Sequence, residues 1–211
     1  QVPNLFEYKL KRLFSYEPLS ADKAWRGRVG IPRVLNMYEN YPFWYTFFTK
    51  LGYQVVLSPS STHAIYELGI ESIPSESECY PAKLAHGHVA WLIKQGVDFI
   101  FYPALFYERN ETEGANNHYN CPIVTSYSEN IKNNVEEIGR GEAVLRNPFM
   151  AFTSLETATD ALIREFKELP AEAVRRAAAA GWEEMEAARE DTRTEGEGGV
   201  DWLVNTHRRG I

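Results

Sequence analysis

The chain has 211 residues, with 22 Lys and Arg against 29 Asp and Glu, a net charge of -7 that argues against non-specific attraction to nucleic acid. Hydrophobic residues make up 44% and aromatics 13%, enough for a sizeable core and too much for wholesale disorder. Its two cysteines, Cys79 and Cys121, exclude a disulfide framework, no apolar run nears the ~20 residues that cross a bilayer, and a cytoplasmic, reducing setting is expected.

Residues 1–27 form a lead-in segment in which "LFEYKLKRLFSYEPL" has helical character. A buried strand is predicted at Arg28 to Ile31, closed by Pro32. In "NYPFWYTFFTKLG" Asn40 is the expected cap, Pro42 lies in the first turn and Gly52 ends the helix. Phe43, Phe47 and Leu51 recur at helical spacing, and Trp44 and Phe48 widen that stripe, against a neighbouring domain on this reading. "YQVVLS" is the next strand, "SSTHAIYELG" a short capped helix, and "CYPAKLAHGHVAWLIKQG" a helix with proline near its start and Gly96 at its end.

"VDFIFYPAL" is apolar almost throughout, as a parallel strand buried on both faces requires. A long loop over residues 106–120 leads to "CPIVTSY", predicted as a fourth strand, and then to the helix "SENIKNNVEEIG" with Ser128 as cap. From about Thr153 the pattern is helical, broken by Pro170; the alanine-rich part suits close packing on another helix and "EEMEAARED" reads as a solvated face. "TRTEGEGG" reads as a polar linker. Alternation of strand and helix predicts a flavodoxin-like, three-layer α/β domain with a roughly four-stranded parallel sheet and a helical C-terminal extension. The expected division is a lead-in over 1–27, the α/β domain over 28–152, the extension over 153–194 and a linker over 195–211. Both ends of the chain read as cuts in a longer protein.

"GIPRVLNMYENYPFWYTFFTKLGYQVVLS", "CYPAKLAHGH" and "NNHYNCPIVTSY" together resemble the domain of unknown function of large CoA-substrate-specific enzyme activases. These are ATP-dependent proteins related to activators of 2-hydroxyacyl-CoA dehydratases and benzoyl-CoA reductases. The resemblance covers roughly residues 28–150. It implies an ATPase part before this domain, dehydratase-like sequence after it, and a place in anaerobic CoA-ester metabolism. The chain itself holds no phosphate-binding glycine motif. The related dehydratase subunits hold an iron–sulfur cluster through cysteines, which makes Cys79 and Cys121 candidate ligands here. A further cysteine is implied at the position that is Ala104 in this chain.

Three site readings follow. In the first, Cys79, at a helix N-terminus where the dipole and free amides favour a thiolate, joins Cys121 on a cluster. Against it, Cys121 at the start of a strand would stand ~16 Å from the opposite edge, the length of a five-residue strand. In the second, Cys79, His86, His88, His118 and Cys121 hold zinc, although His86 and His88 are two apart on a helix and point in different directions. In the third, loops at the carboxyl ends of the strands form a crevice. Arg33, Asn36, Glu39 and Asn40 would line it, with Ser58 to Ser61, Cys79 to Lys83, and Tyr107, Glu108 and Arg109. Arg33 and Lys83 suit an acidic group such as a CoA phosphate. The plainer alternative is that Asn36, Glu39 and Asn40 cap a helix while Arg33 pairs with Glu108.

No nucleophile elbow or paired catalytic carboxylates are evident, so the isolated domain is not expected to be a complete enzyme. Docking to the other parts of an activase, or to a CoA-ester dehydratase or reductase, is the leading expectation, with no cofactor of its own. An iron–sulfur redox domain and a CoA-ester binding module are the rivals.

Overall fold

The computed structural model describes residues 4–110 and 114–208, those from 200 on by backbone alone. Helix α1 (Leu5–Phe14) leads to β1 (Arg28–Ile31), α2 (Met37–Leu51), β2 (Gln54–Leu57), α3 (His63–Gly69) with a 3-10 turn Ile70–Ser72, and α4 (Tyr80–Lys94). Strands β3 (Phe99–Phe101) and β4 (Ala104–Glu108) are followed by α5 (Pro122–Asn134), α6 (Glu136–Gly139), β5 (Leu145–Arg146) and β6 (Phe149–Phe152). Helices α7 (Leu155–Glu165) and α8 (Ala171–Arg208) complete the chain.

The main sheet is parallel, in the order β2-β1-β3-β5, and β4 pairs in parallel with β6. Both ladders belong to two strand paths that bend at proline. Pro103 and Pro148 have no N–H to give, and Tyr102 N to Arg146 O (3.0 Å) and Ala104 N to Pro148 O (2.9 Å) carry the pairing past them. This is the flavodoxin-like α/β fold the alternation predicts, with strand order reversing between β1 and β3.

The fourth strand is not where the sequence pattern put it. "CPIVTSY" opens α5: Cys121 is the N-cap, Pro122 occupies the first turn, and Tyr127 and Ile131 turn inward four residues apart. Helical burial overrides the β-propensity of Ile123, Val124 and Thr125. Ser128 is therefore no cap but a buried residue of the helix interior.

Alternation along the strands sorts the two faces. Phe99 and Phe101 meet Phe48 of α2 at 6.0 and 5.1 Å between ring centres. A β carbon on Gly30, which lies opposite Ile100, would meet Leu92 of α4 at 3.1 Å. Helix α2 starts four residues earlier than expected, with Asn36 rather than Asn40 at its cap. It is buried nearly all round: Trp44 and Phe48 face Phe101, and Phe43 faces Trp182 of α8. The wide aromatic stripe is thus covered by this chain itself. Helix α8 approaches closely enough that a β carbon at Gly181 would stand 2.9 Å from the Phe43 carbonyl oxygen. Its buried stripe runs through Val174, Ala177, Ala178, Met185 and Ala188, so "EEMEAARED" is not only a solvated face but also contributes to the core.

"TRTEGEGG" continues α8 rather than linking. Arg193 pairs with Glu190 at 2.6 Å and also with Glu197, one turn away on either side, and Gly199 lies against Leu5 of α1. These contacts offset the low helix propensity of the glycines.

Candidate functional site at the carboxyl edge

The loop after β1 is strained. Leu35 has φ 46°, the single non-glycine residue with positive φ among the described residues, a conformation that costs on the order of 1–3 kcal/mol and persists where the surroundings impose it. It delivers Asn36 and Asn40 beside Glu108 at the end of β4. One Glu108 oxygen takes the amide of Asn120 at 3.0 Å and that of Asn40 at 3.3 Å, with Asn36 at the long limit of 3.5 Å. Asn120 also donates to the Leu105 carbonyl at 2.9 Å. Three carboxamides and one carboxylate therefore join the β1 loop, β4 and the start of α5 across the switch point.

Of the residues expected to line this edge, Asn36 and Glu108 are brought together and the cations turn elsewhere. The Arg33 guanidinium lies 3.9 Å from the Phe14 ring centre, and its backbone N–H donates to Ser58 Oγ at 2.8 Å. Its Nε is buried without a hydrogen-bond partner. Lys83 donates to the Glu76 carbonyl at 2.7 Å. Arg109 pairs with Glu186 of α8, with its guanidinium 5.8 Å from the Trp182 ring centre.

The two histidines of α4 are fully buried. His88 lies 2.8 Å from Ser58 Oγ through Nδ1 and 3.0 Å from Ser61 Oγ through Nε2. His86 lies 2.7 Å from Ser72 Oγ and 3.1 Å from the Tyr127 hydroxyl of α5. Tyr127 in turn donates to Glu78, which also accepts from Asn130 at 2.9 Å. Burial holds both imidazoles down to about 4; Glu78 opposes that at His86, whereas Arg33 adds to it at His88. Burial, then the bond to Glu78, raises the Tyr127 hydroxyl above the ordinary phenol range. Both imidazoles are neutral at pH 7, with every ring nitrogen next to a hydroxyl. Their role in this structure is to hold α4 against the β2 loop, the 3-10 turn and α5.

Cys79 and Cys121 are exposed N-caps of α4 and α5. The separation expected for Cys121 as the start of a strand does not apply, since it begins a helix. Glu78, next to Cys79, bonds Tyr127, which is six residues into α5 from Cys121 and so ~9 Å along that helix. Ala104 is buried in β4. Two thiols do not make the three or four ligands a cluster takes. Among the described residues no three His, Cys, Asp or Glu side chains gather as a metal site, and the residues present do not fit an iron–sulfur cluster. His118 stands beside Tyr107, ring centres 5.9 Å apart.

An aromatic surface adjoins this edge. Phe106 of β4 stacks on Phe149 of β6 at 4.7 Å, and Tyr107 meets Tyr119 edge-on at 4.7 Å. Phe149 and Tyr119 are each 68% exposed. Sequence reasoning missed three residues for different reasons: Asn120 falls in the loop expected over 106–120, Tyr127 in the run expected as a strand, and Glu78 just ahead of the α4 cap. The one local signal was the glycine between the histidines, which marks a close helix contact.

A doubly wound α/β domain with a self-bonded polar cluster at its carboxyl edge and an exposed aromatic flank is the class these features define. The family model for the CoA enzyme activase uncharacterised domain (DUF2229) matches residues 28–211, and the chain belongs to that family. No curated protein and no solved structure matched it. Among the described residues no helix is long and apolar enough to cross a membrane.

Proposed function

We propose that this domain works by contact, docking the ATPase part of a cytoplasmic, ATP-dependent CoA-substrate-specific activase, its dehydratase-like part, or the CoA-ester enzyme it serves. The carrying observation is the exposed aromatic surface of Phe149 and Tyr119, seated on Phe106 and Tyr107. Aromatic rings held rigid by neighbours are the usual anchors of protein interfaces. Beside them the carboxylate of Glu108 and the carboxamides of Asn40 and Asn120 bond one another. The test is the affinity of the separately produced ATPase part for this domain. Tyr119→Ser with Phe149→Ser is expected to weaken it about tenfold or more; unchanged affinity would remove this surface from the interface.

An iron–sulfur redox role in anaerobic metabolism is the second reading, favoured by two exposed thiols, each at the N-cap position of a helix. It requires further ligands from outside the described residues.

A further inference from the structure

Beside Ala90 of α4 an open cleft of about 270 Å³ separates the 3-10 turn from the α5–α6 joint. Leu68, Ala90 and Val135 form an apolar strip on its floor, flanked by the polar Ser72 and Asn134, and its rim carries Glu71, Glu136 and Glu137. Leu68 and the adjacent Ile70 are 37% and 50% exposed. Glu136 is bonded to Arg140 at 2.8 Å. Glu71 and Glu137 have no cation within ion-pair distance among the described residues, and no Lys, Arg or His lines the cleft.

An apolar floor under an anionic rim fits a ligand with the converse arrangement. We propose that this cleft docks a basic amphipathic segment of a partner protein, a Leu-type side chain seated between Leu68 and Val135 and a Lys or Arg answered by Glu71 and Glu137. The proposal goes beyond the aromatic docking surface, because it names a second face and the chemistry of what covers it. Like-charge crowding at the rim disfavours acidic partners and so supplies selectivity.

The probe is a fluorescently labelled synthetic helix with a Leu face and a Lys face, followed by anisotropy against the whole domain. Two further peptides carry Glu for Lys, or Ser for Leu. Binding of the Leu/Lys helix is expected to weaken with salt and to fall about tenfold in the double variant Glu71→Lys with Glu137→Lys. Glu156→Lys with Asp160→Lys on α7 changes net charge equally and is expected to leave it unaltered. The other two peptides are expected not to bind. Equal losses in both double variants, equal binding of the Ser/Lys peptide, or no binding at all would each overturn the proposal. Thermal melts of each variant check that the exposed substitutions leave the fold intact. None of the peptides involves Tyr119 or Phe149, so this outcome and that of the aromatic surface are separable.

Discussion

Gly87 of α4 lies directly against the backbone carbonyl of Ile65 in α3: a β carbon there would stand 1.8 Å from that oxygen. The reciprocal contact is almost as close, a β carbon at Gly69 falling 2.2 Å from the Gly87 nitrogen. The crossing sets the position of α4, and with it where His86 and His88 reach. Backbone cannot rotate out of the way as a side chain can. Gly87→Ala is expected to destabilise the domain by about 3 kcal/mol or more. Chemical denaturation of the variant checks this, and a loss within ~0.5 kcal/mol would mean that α3 can shift freely.

The Glu108 cluster predicts a graded pair of variants. Glu108→Gln keeps an acceptor oxygen for the carboxamides and is expected to cost about 1 kcal/mol. Glu108→Ala leaves Asn40 and Asn120 without that acceptor and is expected to cost about 2–3 kcal/mol. Denaturation midpoints compared at one pH read the difference.

Acid should destabilise the domain through its two buried histidines. Their folded value of about 4 lies below the ordinary 6.5, so between those limits the unfolded chain binds protons that the folded chain refuses. Stability is therefore full above about pH 6.5 and falls as pH drops toward 4, by ~1.4 kcal/mol per pH unit for each histidine. His88→Asn is expected to reduce that slope by about half. An unaltered slope would show that His88 titrates normally in the folded state.

Tyr127 links α5 to α4 through Glu78 and His86. Tyr127→Phe keeps the ring and removes both bonds, so a loss of about 1–2 kcal/mol is expected. Hydrogen exchange should quicken first at the α4–α5 contact.

Much of this fold was legible because its signals were local. Gly52 and Gly96 take positive φ next to the ends of α2 and α4, Thr62 caps α3, and Pro170 separates α7 from α8. The errors came where tertiary contact outweighed local pattern. The β-rich run Ile123 to Thr125 became helical because Tyr127 and Ile131 bury on α4 and the sheet. The true fourth strand is split by Pro148 into pieces too short to show a period of two. At the site, the sequence places Asn36 and Glu108 at one sheet edge, and their side chains stand 3.5 Å apart there. The contacts of Arg33 and Lys83, with the Phe14 ring and the Glu76 carbonyl, depend on packing that spacing does not encode.

The central claim, a domain that acts by contact and carries no redox centre of its own, is tested most directly by iron and acid-labile sulfide content, with an absorption spectrum, on protein purified without oxygen. The account predicts colourless, folded protein without stoichiometric iron. Iron and sulfide in matching amounts with a broad visible band, lost in Cys79→Ser, would contradict it and make this a redox domain.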